Sequence, residues 1–338
     1  MVTRIIQGTA IGGLTTVMFV LTIEFLSPSL RSFVGCSING AFAVGVLILV
    51  PIAKYIDSWR VMYFILAIPF LIILILYSFL DESPRFLLTM GDSTKAAKIL
   101  TKVSKFNIPK SKREKFNPNY FIKENLQNEL EIPGNGAHGQ FKDLFSRELF
   151  KRVAVMFYIW IIASLIYYAL SLGVGNLGRD LYTTTLISSG VEFAGCTFAG
   201  VILQLIGRKK GLFFHMFSSA ICCLVFVFLG DSTVGIAASM IGKFAVSACY
   251  AIVYVYGCEI TPTSVRSLAL GVFSQGGRIG SALAPTFVLL GQFSLSLPYI
   301  IFTVLAVSAS FLIYFLPETK NVPLFDTKQR TSEKTIIP

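Results

Sequence analysis

The chain has 338 residues, of which 54% are hydrophobic and only 14% are Asp, Glu, Lys or Arg, with a mean hydropathy of +0.71. A soluble domain carries about 25% charged residues, so this is the composition of an integral membrane protein. Two His and six Cys in such a chain argue against a disulfide scaffold, a disordered tail and a His-based or His-ligated metal centre. The net charge of +11 raises nucleic acid as a partner only until its placement is read.

A bilayer-spanning helix takes about 20 mostly apolar residues. Nine such runs follow in chain order: 4–26, 32–53, 61–80, 153–173, 185–206, 211–229, 234–257, 267–290 and 297–316. They are too long for barrel strands, and membrane helices tolerate the Pro and Gly inside them. The first run is not a cleaved signal peptide, because it carries Arg4 and leads into Ser27-Pro28-Ser29 rather than a small-residue cleavage site. After the third run comes a charged segment, 81–152. Within it Lys95–Lys105, with Ala96, Ala97, Ile99, Leu100 and Val103, reads as a short amphipathic helix, and Pro109, Pro118 and Pro133-Gly134 break the remainder. With that segment taken as cytosolic, 23 of the 29 Lys and Arg fall on its side and only Lys54, Arg60 and Arg179 on the other. This is the positive-inside pattern, and it accounts for the net charge without nucleic acid. The cysteines all lie within or at the ends of runs, lack metal-ligand spacing, and read as small packing residues. No metal, cofactor or nucleophile–base constellation is expected, and the chain reads as a non-enzyme.

Two motifs recur at one offset. Glu24-Phe-Leu-Ser-Pro28-Ser-Leu-Arg31 follows the first run and Glu259-Ile-Thr-Pro262-Thr-Ser-Val-Arg266 the seventh, with Glu24 and Glu259 separated by 235 residues. Asp81-Glu82-Ser83-Pro84-Arg85 follows the third run and Pro317-Glu318-Thr319-Lys320 the ninth, with Glu82 and Glu318 separated by 236. The chain is therefore read as a duplicated unit with six helices between equivalent points, which is a transporter architecture with substrate at the interface of the halves. On that arithmetic residues 153–229 would have counterparts before residue 1, and residue 1 reads as a truncation, a mispredicted start or an alternative isoform. The expected organisation is an N-terminal bundle remnant of three helices (1–80), a cytosolic central loop (81–152), a six-helix bundle (153–317) and a cytosolic tail (318–338).

These repeated motifs, with Ile206-Gly-Arg-Lys-Lys210, resemble the major facilitator superfamily. Tyr158-Ile-Trp160, Tyr167-Tyr-Ala-Leu-Ser-Leu172, Val191-Glu-Phe193 and Ser274-Gln-Gly-Gly-Arg278-Ile-Gly280 with Ala284-Pro285 narrow the resemblance to its organic cation/carnitine/organic anion transporter family, which is solute carrier 22-like. Sugar porters fit less well, because Ala248–Glu259 lacks their Gly-Pro-x-x-Trp. The resemblance implies an all-α membrane protein, a helical bundle with nine of the usual twelve transmembrane helices, numbers 4 to 12 of the family. It also implies that Glu24, Arg31, Arg208, Glu259 and Arg266 latch the two bundles in the outward-facing state. The alternative for these charges is topology determination with snorkelling.

An ionisable residue inside a membrane helix costs at least about 2.5–3.5 kcal/mol, so it persists where it faces a cavity or a partner. Arg278 lies near the middle of the eighth run and shares a face with Ser274, Ser281 and Pro285. It reads as an anion-binding guanidinium or a structural ion pair. Glu192 lies inside the fifth run, either to bind an ammonium group or to serve as the counter-ion of Arg278. Trp160 and Tyr167 share a face of the fourth run, and Tyr250 and Tyr254 one of the seventh; such rings suit amphipathic organic ions, or pack between helices. Lys243, where the family has an Arg, is left outside the substrate set. The resemblance places Asp at the Arg278 position in cation transporters and a Lys at the Cys196 position in many anion transporters. A cation about 6 Å from Arg278 would meet about 2–3 kcal/mol of repulsion at an effective dielectric near 20.

The expected function is alternating-access transport of organic anions or carnitine-like zwitterions across a membrane, most simply the plasma membrane. The expected partners are a small organic ion and membrane lipid, with no coupling ion or exchange substrate assigned. The competing readings are a truncated, non-transporting regulatory or assembly partner and, further off, a sugar-porter-type or organic cation transporter.

Overall fold

The structure is a computed structural model that describes residues 2–113, 117–122, 141–173, 180–230, 232–262 and 265–320. A long helix stands on each of the nine apolar runs: α1 (Val2–Phe25), α2 (Pro28–Tyr55), α3 (Trp59–Tyr77), α8 (Arg147–Gly173), α9 (Leu181–Ile206), α10 (Arg208–Leu229), α11 (Thr233–Glu259), α12 (Arg266–Leu289) and α13 (Ser296–Ile313). Four short helices lie between α3 and α8, namely α4 (Pro84–Thr89), α5 (Ser93–Asn107), α6 (Lys110–Arg113) and α7 (Pro118–Phe121). Eight of the nine long helices are apolar enough to cross a membrane by composition alone. The exception, α12, is 24 residues long, but it carries Arg266, Gln275, Arg278 and a run of Gly and Ser. Its polarity is that of a helix facing an internal pathway rather than lipid. Pro51, Pro69 and Pro285 lie inside α2, α3 and α12.

The core belongs to α8–α13. Helix α8 packs along α12, α10 against α11 and α13, and α11 against α8 and α9. Small residues set these distances, as in membrane bundles generally. A Cβ on Gly280 would lie 2.3 Å from the Ile161 carbonyl oxygen, and one on Gly195 would lie 2.6 Å from that of Phe244. Only glycine lets these backbones touch.

The N-terminal three helices join this core unequally. Helix α2 lies along α9, where the absent side chain of Gly200 admits the Phe33 backbone. Helix α1 reaches α11 and α12 near its end, burying Phe19, Val20 and Ile23. Helix α3 buries no residue; Arg4 of α1 donates to the Tyr63 hydroxyl and stacks on its ring.

Helix α5 is the amphipathic helix read over Lys95–Lys105, extended by two residues at each end. Its N-cap is Asp92, whose side chain accepts from the Lys95 backbone N–H at 3.0 Å. The Lys95 ammonium, and after it that cap, hold the Asp92 carboxyl below its ordinary range. The inner face of α5 forms a separate small core with Leu87 and Ile122. Residue 1, the C-terminal tail beyond Lys320 and all of 123–140, with Pro133-Gly134, lie outside the described residues.

Candidate functional site

Two polar constellations are built into this apolar frame. One lies partway along α8, α9, α11 and α12. The other lies at the bundle end that carries Arg208–Lys210.

In the first, Glu192 of α9 is buried. It accepts a hydrogen bond from the Tyr167 hydroxyl at 2.5 Å, and the Lys243 ammonium of α11 stands 3.3 Å from its other oxygen. Lys243 in turn donates to the Ser171 hydroxyl and lies 3.9 Å above the centre of the Tyr167 ring. Both charges are thus enclosed, paired and hydrogen-bonded, the condition under which buried charge persists. Among the described residues, the counter-ion of Glu192 is not Arg278. Lys243 takes that place, because α9 and α11 pack side by side.

Arg278 differs in kind. Its side chain is exposed, and no hydrogen bond or ion pair of its guanidinium occurs among the described residues. It lies within electrostatic reach of Tyr168, Tyr250 and Tyr254. The rings between the two charges form one cluster. Tyr167 stacks on Tyr250 (centroids 5.2 Å, planes 11° apart), Tyr250 meets Tyr254 edge-on at 5.6 Å, and Trp160 lies 4.4 Å from Tyr254. Phe19 of α1 closes on Tyr254 at 5.2 Å. Tyr250 and Tyr254 are half-buried, whereas Tyr167 and Trp160 are buried. Trp160 therefore supports the wall from behind, and its indole N–H has no hydrogen-bond partner among the described residues. Ser164, on the same helix, donates to the Gly277 carbonyl at 2.6 Å, fixing α12 against α8 beside Arg278.

Sequence reasoning missed two members of the site. Tyr168, half-buried, packs against the core with its ring edge-on to that of Tyr167 at 5.0 Å, within electrostatic reach of Arg278. Lys243 was visible as an intramembrane charge, but only packing identifies its partner.

At the second constellation the repeated motifs cross. Arg266 donates to Glu24 at 2.9 Å, and Arg31 lies 3.9 Å from Glu259. Each copy of the repeated motif, with Glu and Arg seven residues apart, thus pairs with the other, joining α1 to α12 and α2 to α11. Glu259 also receives a bidentate pair from Arg208 (2.9 and 2.9 Å) and the Thr319 hydroxyl at 2.6 Å. Arg266 further donates to the Cys258 carbonyl at 2.9 Å. Gly207, with φ of +94°, forms the α9–α10 turn, and a Cβ there would lie 2.6 Å from a Glu318 oxygen. That carboxylate accepts from the backbone N–H groups of Arg208 (2.8 Å), Thr319 (2.9 Å) and Lys320 (3.0 Å). It sits at the N-terminus of α10, where a helix favours an anion. The Gly-Arg-Lys and Pro-Glu-Thr-Lys motifs are therefore two sides of one contact.

Crossed charges thus join the helices at one end, and partway along them stand an exposed Arg278 and a cluster of aromatic rings. Residues 1–330 match the sugar (and other) transporter family, and the chain belongs to it. It is 33% identical over 326 residues to organic cation transporter 1 of Caenorhabditis elegans, covering 95% of this chain and 55% of the relative. It is 31% identical to organic cation/carnitine transporter 4 of Arabidopsis thaliana (96% and 62%) and 30% identical to organic anion transporter 3 of Sus scrofa (96% and 60%). The chain thus spans somewhat more than half the length of these relatives. Among solved structures it resembles the major facilitator superfamily proton:xylose symporter XylE, with a TM-score of 0.67 at 19% identity over 91% of this chain and 68% of that one. The family match together with the likeness to XylE shows the major facilitator helical bundle, and the chain is a multi-pass membrane protein. The narrower resemblance to the organic cation, carnitine and organic anion transporters holds.

Proposed function

We propose that the chain carries the substrate pathway of an alternating-access transporter of organic ions, with Arg278 binding the anionic group of the substrate. The observation that carries this reading is charge accounting. Glu192 is neutralised in place by Lys243 and accepts from Tyr167, whereas Arg278 is exposed and has no hydrogen-bond or ion-pair partner among the described residues. The wall then presents one uncompensated positive charge, and its complement is an organic monoanion. Tyr250 and Tyr254 offer ring faces to the apolar body of such a substrate, with Tyr167 and Trp160 holding those rings in place. A carnitine-like zwitterion is the second candidate; it needs the Glu192 carboxylate released from Lys243 to meet its ammonium group. The relatives' names span organic cations, carnitine and organic anions, and the single positive charge selects among these classes. No group in this reading performs covalent chemistry.

The crossed pairs Glu24–Arg266 and Arg31–Glu259 close one end, which we assign to the cytosolic side of the plasma membrane in an outward-facing state. Residues 81–113 lie on that same side in this assignment. Ser111→Cys should therefore react with an impermeant maleimide only after the cells are permeabilised; labelling of intact cells would refute the topology.

The charge accounting is tested at Lys243. Replacing it with Gln leaves Glu192 as an uncompensated acid in the wall. Competition binding to the purified protein should then show monoanion affinity falling roughly tenfold, about one charge-assisted interaction, while a quaternary-ammonium zwitterion gains relative to it. Lys243→Arg, which keeps the charge, should preserve the wild-type order. An unchanged order in Lys243→Gln would contradict the neutralised-Glu192 reading.

A further inference from the structure

Residues 81–113 carry eight Lys and Arg against three Asp and Glu, and α5 concentrates that charge on one side. Lys95, Lys98, Lys102 and Lys105 recur at i, i+3, i+7 and i+10, within an arc of about 80° at 3.6 residues per turn. Phe106, 84% exposed, falls at the edge of this arc. The opposite side of α5 is occupied, because Ala96 is buried with Leu87 and Ile122, and Leu100 packs against them. An apolar inner face is thereby satisfied, while a stripe of ammonium groups stands on the outer side beside an exposed aromatic ring.

We propose that this outer face of α5 rests on an anionic lipid headgroup layer, with the lysines on the lipid phosphates and carboxylates and the Phe106 ring entering the interface. Three observations favour this occupant. The charge is complementary to a phosphatidylserine surface, which attracts basic segments held close to the bilayer. A large exposed aromatic flanked by Lys is the pattern of an interfacial helix, in which Lys stems lie along the apolar boundary while their heads reach the headgroups. The module is also held at the surface by its chain: α3 ends at Tyr77 and α4 begins at Pro84, so a six-residue connection keeps it within roughly 25 Å of a spanning helix end. The pairs Lys95–Asp92 (2.9 Å) and Lys102–Asp81 (2.5 Å) are exposed and exchange readily for lipid, since such pairs contribute little. This inference does not depend on which substrate Arg278 takes.

The test is amide hydrogen exchange of the whole protein in nanodiscs of phosphatidylcholine alone or with added phosphatidylserine, reading residues 93–107 against α11 as an internal reference. Each lysine on an anionic surface is worth about fivefold in partitioning, so protection of α5 should rise at least tenfold with phosphatidylserine and fall back at raised salt. Lys98→Gln with Lys102→Gln, which leaves the inner face untouched, should remove most of the gain. Phe106→Ser should lower protection in phosphatidylserine discs without altering α11. Equal protection of α5 in both lipids, or a gain unaffected by the double lysine variant, would overturn the proposal; the face would then rest on the bundle or a protein partner.

Discussion

Arg278→Asp should abolish recognition of organic monoanions while sparing or enabling that of a cation. Loss of the guanidinium removes a charge-assisted interaction, and such interactions contribute about 1.5–3 kcal/mol, so Arg278→Gln alone should cost roughly 10- to 100-fold in monoanion affinity. Asp then adds repulsion at the same place. Because Arg278 is exposed and has no hydrogen-bond or ion-pair partner among the described residues, neither substitution leaves a buried group orphaned. Expression and thermal stability should stay near wild type. Monoanion binding that survives both substitutions would place the anion site elsewhere.

Glu259→Gln should behave in the opposite way. Glu259 is 3% exposed and is the shared acceptor of Arg208, Arg31 and Thr319. Removing its charge leaves two enclosed guanidinium groups facing a neutral amide, and breaking such a buried pair from one side costs about 3–5 kcal/mol. Reduced surface expression, a lower melting temperature and weakened transport are expected together, with the order of substrate preference unchanged. Arg266→Ala strands Glu24 and should give the same pattern. A changed preference at normal surface expression would place these residues in the pathway rather than the latch.

The fold was legible because a membrane helix must satisfy its own backbone hydrogen bonds over the whole apolar thickness, which writes each span as one continuous run. Boundaries were less legible. Helix α8 begins at Arg147, six residues before its apolar run, since Arg147–Arg152 form a charged first turn and a half that hydropathy does not register. Glu24, Arg31, Glu259 and Arg266 could be named from a repeated motif, but not their crossed pairing, which depends on α1 meeting α12 and α2 meeting α11. At the site, Arg278 stood out because a midplane charge is costly. The Glu192–Lys243 pair did not, because nothing in the spacing of two distant helices says which charges will face each other. Tyr168 was passed over for a similar reason: helical periodicity assigned the aromatic face to Tyr167, whose hydroxyl is in fact committed to Glu192.

The central claim, one uncompensated positive charge on the substrate wall, is tested most directly by comparing three radiolabelled ligands of similar size on the purified wild-type protein: an aromatic monoanion, a quaternary-ammonium zwitterion and a quaternary-ammonium cation. The account predicts saturable monoanion binding, at least tenfold tighter than cation binding and lost in Arg278→Asp. Saturable cation binding of equal or greater affinity, unaffected by Arg278→Asp, would contradict it.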